Sequence, residues 1–582
     1  MRYSLKWADI ITDSVFICRK NGAIMIEQSV ILTPISLWEG FDASRPTKSN
    51  MLGEIRYDNV VHRDFFFSGR QAGNERVRIF GKYFTPDDSL SHECLLYIPD
   101  ITERINYEEV IDYVKMGFSV LMVDFYGKRD NTENYTVYPE SVSYANYETR
   151  GRRMDYVDES ARETCWYEWV AVARYALTFL IEQNPSVFKI GVIGIKNGAN
   201  IAWQLAAVDD RVKCAVVMFG AGWSAYKGIN KFSDSDIVMN EERRKYIAAV
   251  DAHAYAQYVK CPVLFLTSTN STEFDFDRSL DTLSRIRADV PYVFNFSPGF
   301  NVYLDDYCKK DVELFLYCQF DINKLVFPKC PEVSIEQDGN FLALTLDYST
   351  EVKIESAKVY INEGVINPAI RNWNSCDFVG DEAEGRMKYE YVANGSTKNV
   401  FAFAVVRYKN GLTLSSKLAY KKIEPTSSKK SNLIYSSRDG LGGITFYDKN
   451  ASEKSIFVDE SKFLELVKGA DGIYGAYSHC GLISYKFSEP CCAADDSSIL
   501  EMDFFTSEFC VLKLVFMVAT PSGVKEFTYS FELKSGKFWQ NIIIRLNEFK
   551  SAEGMSIRKY EDIFALRIES GGKYVVNNIL LI

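Results

Sequence analysis

The stretch Lys189–Trp223, KIGVIGIKNGANIAWQLAAVDDRVKCAVVMFGAGW, decides how the chain folds between about residues 60 and 325. Lys189 to Ile193 is a short apolar run rich in β-branched residues, the composition of a strand buried on both faces of a parallel sheet. Gly194-Ile195-Lys196-Asn197-Gly198 is a turn, Ala199 to Val208 has helical composition, and Ala215 to Phe219 is the next strand. Glycines two positions either side of a central residue permit a tight, strained elbow that lifts the central side chain above the sheet. Here the lifted side chain is Lys196.

Strand and helix signals alternate on both sides of this unit. Val60 to Phe84 alternates with period two and predicts antiparallel strands at the sheet edge. Cys94 to Ile98 and Phe118 to Val123 are strands around a helix at Tyr107 to Lys115. Tyr126 to Asp158, rich in Tyr, Asn and Arg, is expected to cover the carboxyl ends of the strands as a lid or binding loop. A helix at Glu163 to Glu182 precedes the elbow. After it come strands at Pro262 to Leu266 and Pro291 to Phe296, with helices at Arg278 to Arg287 and Asp311 to Phe320. Right-handed crossovers then give an α/β fold with a doubly wound, mostly parallel sheet.

Near residue 328 the period changes from that of helices to that of strands. Val333 to Leu346, Ala357 to Ile361, Tyr389 to Val392 and Val400 to Tyr408 predict a small β-sandwich. Pro425 to Ser431 has linker composition, and everything beyond it is strand-like, as in a second, larger sandwich or jelly roll. The expected organisation is an N-terminal extension (1–60), the α/β domain (61–327), and two C-terminal all-β sandwich domains (328–424 and 432–582).

Composition narrows the function. Net charge is −11, from 67 Lys+Arg and 78 Asp+Glu, with no long basic run, so nucleic acid and anionic membrane are poor partners. The N-terminus lacks a basic start followed by an apolar core, and no 18-residue apolar run occurs, so a soluble cytoplasmic location is expected. The 13 cysteines lack paired C-x-x-C spacing and many lie in apolar strands. They predict buried thiols, with no disulfide framework, zinc site or other cofactor. Cys491-Cys492 could alternatively be a redox pair. Aromatic residues make up 14% of the chain, which suits β-rich modules whose rings are mostly core.

The strand order and the elbow resemble the acetylxylan esterase and dienelactone hydrolase side of the α/β-hydrolase superfamily. The resemblance implies a Ser, Asp, His triad, each residue at the end of a particular strand, so each position can be checked. The nucleophile position falls on Lys196. At the acid position, where the family has Asn-Asp, this sequence has Asn270-Ser271, with Asp275 and Asp277 a few residues on. The histidine position falls on Val302, in Phe300-Asn301-Val302. Only four histidines exist, and His253 is the best placed to substitute. Asn197 could still offer a backbone N–H to an oxyanion, but Pro99-Asp100 would aim a carboxylate at the same place.

What should persist is a pocket around the elbow, with Tyr126, Asn197 and Trp223 as binding residues, and with Asp124 and Asp130 near enough to Lys196 for a buried ion pair. The first sandwich resembles immunoglobulin-like or fibronectin-like domains, in Val359-Tyr360-Ile361, Asn367-Pro368 and Arg371-Asn372-Trp373. The last module resembles a jelly-roll carbohydrate-binding module, in Phe538 to Phe549, with Trp539 and Tyr574 as rings for sugar stacking if they are exposed.

Three readings follow. The first is a catalytically degenerate hydrolase fold serving a binding or assembly role, its partner a carbohydrate or an acylated small molecule. The second is an active carboxylester hydrolase with a non-standard residue set. The third is a structural protein that assembles as a homo-oligomer.

Overall fold

The structure is a computed structural model and describes residues 31–57, 59–88, 92–187, 189–235, 237–338, 341–378, 385–427, 430–448, 455–521 and 523–582, preceded by the paired strands Val15–Lys20 and Ala23–Gln28. Residues 428 and 429 of the expected linker lie outside the described residues.

Nine strands form the sheet of the α/β domain: β1 (Asn50–Tyr57), β2 (Val60–Ala72), β3 (Glu75–Pro86), β4 (Cys94–Ile98), β5 (Ser119–Val123), β6 (Ile190–Ile195), β7 (Val212–Met218), β8 (Val263–Ser268) and β9 (Tyr292–Ser297). Their order is β9-β8-β7-β6-β4-β5-β3-β2-β1. The pairs from β5 to β9 are parallel, and β1 to β3 form the antiparallel edge. β4, β5, β6 and β8 are buried along their whole length, which explains why they read as mostly apolar runs, with polar residues only at the ends of β5 (Ser119) and β8 (Thr267, Ser268). Part of the expected N-terminal extension is therefore sheet, since β1 pairs with β2.

The helix Cys165–Gln183 begins where Thr164 accepts a hydrogen bond from the Tyr167 N–H (3.3 Å), and it buries most of its surface behind the sheet. It also fixes the long excursion after β5. Trp169 donates to the Ala145 carbonyl (2.9 Å) and Trp166 to the Met154 carbonyl (2.8 Å). Arg150 and Arg153 lie over the rings of Tyr147 (3.7 Å) and Tyr144 (4.4 Å). The segment read as a lid is thus strapped to the domain by indole hydrogen bonds and cation–π contacts.

The first sandwich packs a three-stranded sheet (Glu332–Asp338, Phe341–Asp347, Arg386–Val392) on a five-stranded one centred on Ile354–Glu363 and Asn399–Tyr408. Asn399–Tyr408 is buried on both faces. Val400, Ala402, Ala404 and Val406 enter the sandwich core, while Phe401, Phe403 and Val405 belong to the core of the α/β domain. The strand Thr413–Ser415 lies against β9, where Ser415 Oγ accepts a hydrogen bond from Phe296 N (2.9 Å), so the open edge of the parallel sheet is covered.

The second sandwich has a six-stranded and a five-stranded antiparallel sheet. Its first strand, Leu433–Ser436, pairs with its last, Val575–Leu581.

Candidate functional site

The elbow has the geometry its sequence promised. Lys196 adopts φ 53° and ψ −116°, a conformation costly for any residue with a side chain. It precedes the helix Asn197–Val208. The flanking glycines are required by contact: a Cβ at Gly194 would lie 2.5 Å from the Gly198 carbonyl oxygen, and one at Gly198 would lie 2.3 Å from that of Ile98. The structure therefore keeps the strained turn while presenting an amine, half-buried, at its apex.

The polar groups near the elbow are largely engaged with one another. The Asn197 side chain donates to Asp100 (2.9 Å), so a carboxylate occupies the side on which an oxyanion would form. Tyr97 donates to Glu109 (3.0 Å), and burial pushes the Glu109 carboxyl up to about 7 even though the Lys196 charge pulls it down. The expected ion pair of Lys196 with Asp124 or Asp130 does not form. Asp124 instead accepts hydrogen bonds from the backbone of Gly127 (3.1 Å) and Thr136 (2.8 Å), and Asp130 is exposed.

The other two triad positions serve different ends. Ser271 is buried, and its Oγ accepts hydrogen bonds from the Glu273 (3.3 Å) and Phe274 (3.2 Å) backbones within its own turn. Next to it, Asn270 donates to the Arg371 carbonyl (2.7 Å) of the first sandwich. Asp275 caps the helix Phe276–Leu283. Asp277 forms a bidentate pair with Arg371, both contacts 2.7 Å and both side chains with 0% exposure. The remaining Arg371 donors reach the carbonyls of Val365 and Ile366 (2.9 Å each), so the buried charge is satisfied.

Val302 lies in a loop that belongs to the last domain as much as to the first. Phe300 and Tyr303 sit in the core of the second sandwich, their rings 5.4 and 6.1 Å from Phe446. Leu304 N donates to the Ile456 carbonyl (2.8 Å), and Leu304–Asp305 pairs with Phe457–Val458. The acid loop thus holds the first sandwich and the histidine loop holds the second.

His253 does not complete the set. It is buried, stacked on Trp223 with ring centroids 4.1 Å apart, and its Nδ1 accepts from the Trp223 N–H (3.4 Å) beside Asp251. The Trp223 indole donates to Thr282 (2.8 Å). Tyr126 is buried, bonded to Glu148 and stacked on Tyr147. Trp539 is half-buried, donating to the Ala470 carbonyl (3.1 Å), and Tyr574 is core.

Two cavities stand out, and neither is lined by Lys196. One, of about 330 Å³, lies beside Asp124, with Lys82, Arg104 and Arg129 in its wall. The other, of about 700 Å³, opens where all three domains meet. Its wall includes Tyr307 and Asp305 from the α/β domain, Tyr360 and Trp373 from the first sandwich, and Tyr485 and Glu460 from the second. Arg407 lies 3.6 Å from the centroid of the Tyr307 ring. Trp373 is 7% exposed, and its indole N–H has no partner among the described residues. No motif in the sequence marks this cleft; the Arg371-Asn372-Trp373 triplet, which carries the resemblance to an immunoglobulin-like domain, lines it.

The sheet order and the elbow are those of an α/β-hydrolase fold. Residues 98–299 match the family model described as Dienelactone hydrolase family. Among solved structures the chain is similar to an acetyl xylan esterase from a Paenibacillus species, at 15% identity over 47% of this chain and 89% of that one, with a TM-score of 0.38. It is similar to Acetyl Xylan Esterase 1 from a Thermoanaerobacterium species at 15% identity over 48% and 89%, with a TM-score of 0.33. A cold-adapted esterase from an Arctic intertidal metagenomic library matches at 16% identity over 43% and 90%, with a TM-score of 0.27. None of the curated proteins compared with the chain matches it. The two sandwiches lie beyond residues 98–299, the range of the family model.

Proposed function

We propose that this chain is a pseudo-esterase, a hydrolase-fold protein that binds a ligand without cleaving it. The observation that supports this best is the use made of the three triad positions: an amine at the elbow, a serine held in its own turn, and a valine in a loop built into another domain. A lysine that attacked an ester would retain the acyl group as an amide, which water does not readily release. Freed from catalysis, the acid and histidine loops became docking surfaces for the sandwiches.

The three-domain cleft is the binding site in this reading. Ring faces, carboxylates and a guanidinium side by side suit a saccharide, whose C–H faces stack on aromatics while its hydroxyls both donate and accept.

The first test is hydrolysis of short-chain nitrophenyl esters by the wild type and Lys196→Ala. No turnover in either is expected; turnover that disappears in Lys196→Ala would make the lysine chemical and end the pseudo-esterase reading. The second is calorimetry with xylo-oligosaccharides, plain and acetylated, where Trp373→Ala and Tyr307→Ala should weaken binding. If no saccharide binds, the sandwiches serve assembly instead.

A further inference from the structure

At the junction between the two sandwiches, Glu489, Cys491 and Cys492 bring three ligating side chains to one buried point. Their exposures are 3%, 6% and 1%, and one ligand atom from each lies within 4.8 Å of the others. The two sulfurs are 3.7 Å apart, and Cys491 Sγ is 3.9 Å from Glu489 Oε2. Two sulfurs at 2.3 Å from a tetrahedral zinc ion would be separated by about 3.8 Å. The protein therefore already holds the sulfur pair at the edge length of such a site.

The Glu489 carboxylate is poorly satisfied for a group so deeply placed. Its partners are the Asn372 amide at 3.4 Å and the Cys491 thiol at 3.9 Å, both long for a charged acceptor. A cation would supply what those contacts do not. The scaffold around the group is rigid. Pro490–Cys492 is a 3-10 turn closed by the Cys492 N–H on the Glu489 carbonyl (2.9 Å), and Ser431 N donates to the Cys491 carbonyl (2.7 Å). Gly364 of the first sandwich approaches so closely that a Cβ there would lie 2.6 Å from Pro490 Cδ.

We propose that Glu489, Cys491 and Cys492, all from the second sandwich, bind a single thiophilic divalent cation of the zinc type at the face that packs on Gly364 and Asn372 of the first. Thiolates select zinc and cadmium over magnesium and calcium, and the carboxylate completes a three-residue set that leaves one position for water. All three ligands bind deprotonated, so the two thiol protons, and the proton of the Glu489 carboxyl that burial raises to about 8, leave to solvent as the cation enters. Two thiolates and a carboxylate carry three negative charges, of which the cation neutralises two; Lys486 and Glu363 add opposite charges nearby.

The test uses the full chain, stripped with a chelator under reducing conditions and titrated with Cd²⁺ and then Zn²⁺. One equivalent of Cd²⁺ should bind with a thiolate-to-metal charge-transfer absorbance, pre-loading with Zn²⁺ should slow or reduce that uptake, and Zn²⁺ added to the stripped chain should raise Tm in proportion to the logarithm of its concentration. Cys491→Ser and Cys492→Ser should each weaken binding by about a hundredfold or more, beyond what loss of an outer-shell partner costs. Glu489→Gln should keep the absorbance and weaken the affinity. Cys318→Ser, a half-buried thiol of the α/β domain, should bind as the wild type does. Far-ultraviolet circular dichroism checks that each variant is folded. A wild type with both thiols reduced that takes up no stoichiometric Cd²⁺ overturns the proposal, and so does binding that survives Cys491→Ser and Cys492→Ser together.

Discussion

Lys196 carries two physical burdens of the elbow, the strained backbone and an ammonium beside buried groups. Its φ of 53° with ψ of −116° is open to glycine without strain. Non-glycine residues in such regions cost on the order of 1–3 kcal/mol, partly offset by the greater unfolded-state freedom of glycine. Lys196→Gly should therefore stabilise the protein by about 1 kcal/mol, roughly 2 °C in Tm for a domain of this size. Calorimetry that finds the variant at or below the wild type would show that Lys196 makes compensating contacts. Asp124 gives a residue-scale prediction in pH. Burial raises its carboxyl from 3.8 to about 6. A carboxyl raised in the folded state favours folding fully below its unfolded value and loses that contribution as pH climbs through the folded one. Between pH 4 and 7 the wild type should thus lose Tm relative to Asp124→Asn. A constant difference across that range would count against a raised carboxyl.

At the scale of elements, the loop after β9 and the loop after β8 are the instructive ones. The first is fastened by Phe300, 3% exposed in the core of the second sandwich. Phe300→Ala should cost about 3–5 kcal/mol by leaving a cavity at that junction, and protease sensitivity near residues 425–431 should rise with it. The second is fastened by the Asp277–Arg371 pair. Arg371→Ala leaves a carboxylate buried and unpaired, and a loss of about 3–5 kcal/mol is expected. Arg371→Met combined with Asp277→Leu removes both charges and should recover at least half of that loss. Denaturant unfolding of the two variants measures this directly, and a double variant no better than Arg371→Ala would mean that the hydrogen bonds of Arg371 to Val365 and Ile366 dominate.

At the scale of the whole molecule, the α/β domain and the first sandwich share one hydrophobic core through Phe401, Phe403 and Val405. Residues 1–327 expressed alone would expose Phe294, Phe296 and the edge of β9, and should aggregate or bind hydrophobic dyes, whereas the intact chain should unfold these two domains in one transition. Two separate calorimetric transitions for residues 31–424 would contradict a shared core. The same continuity accounts for the cleft, since three domains held at fixed loops leave a concave junction between them.

The amino-acid sequence by itself determined the local elements. Short, mostly apolar runs became β4 to β9 because burial on two faces favours apolar side chains at nearly every position, and two glycines marked the elbow because backbone atoms occupy the space a Cβ would need. It also determined that lysine, not serine, stands between the elbow glycines and that valine, not histidine, follows Phe300-Asn301, which is a matter of identity alone. Only the tertiary structure decided which side chains meet. Asp277 reads as a helix start until Arg371, 94 residues away, neutralises it. Phe300 reads as part of a degenerate motif until Phe446 packs against it. Glu489 and its two cysteines have no recognisable ligand spacing until they are seen to converge. Pairing, desolvation and convergence depend on neighbours distant along the chain, so they leave no local period or composition to read.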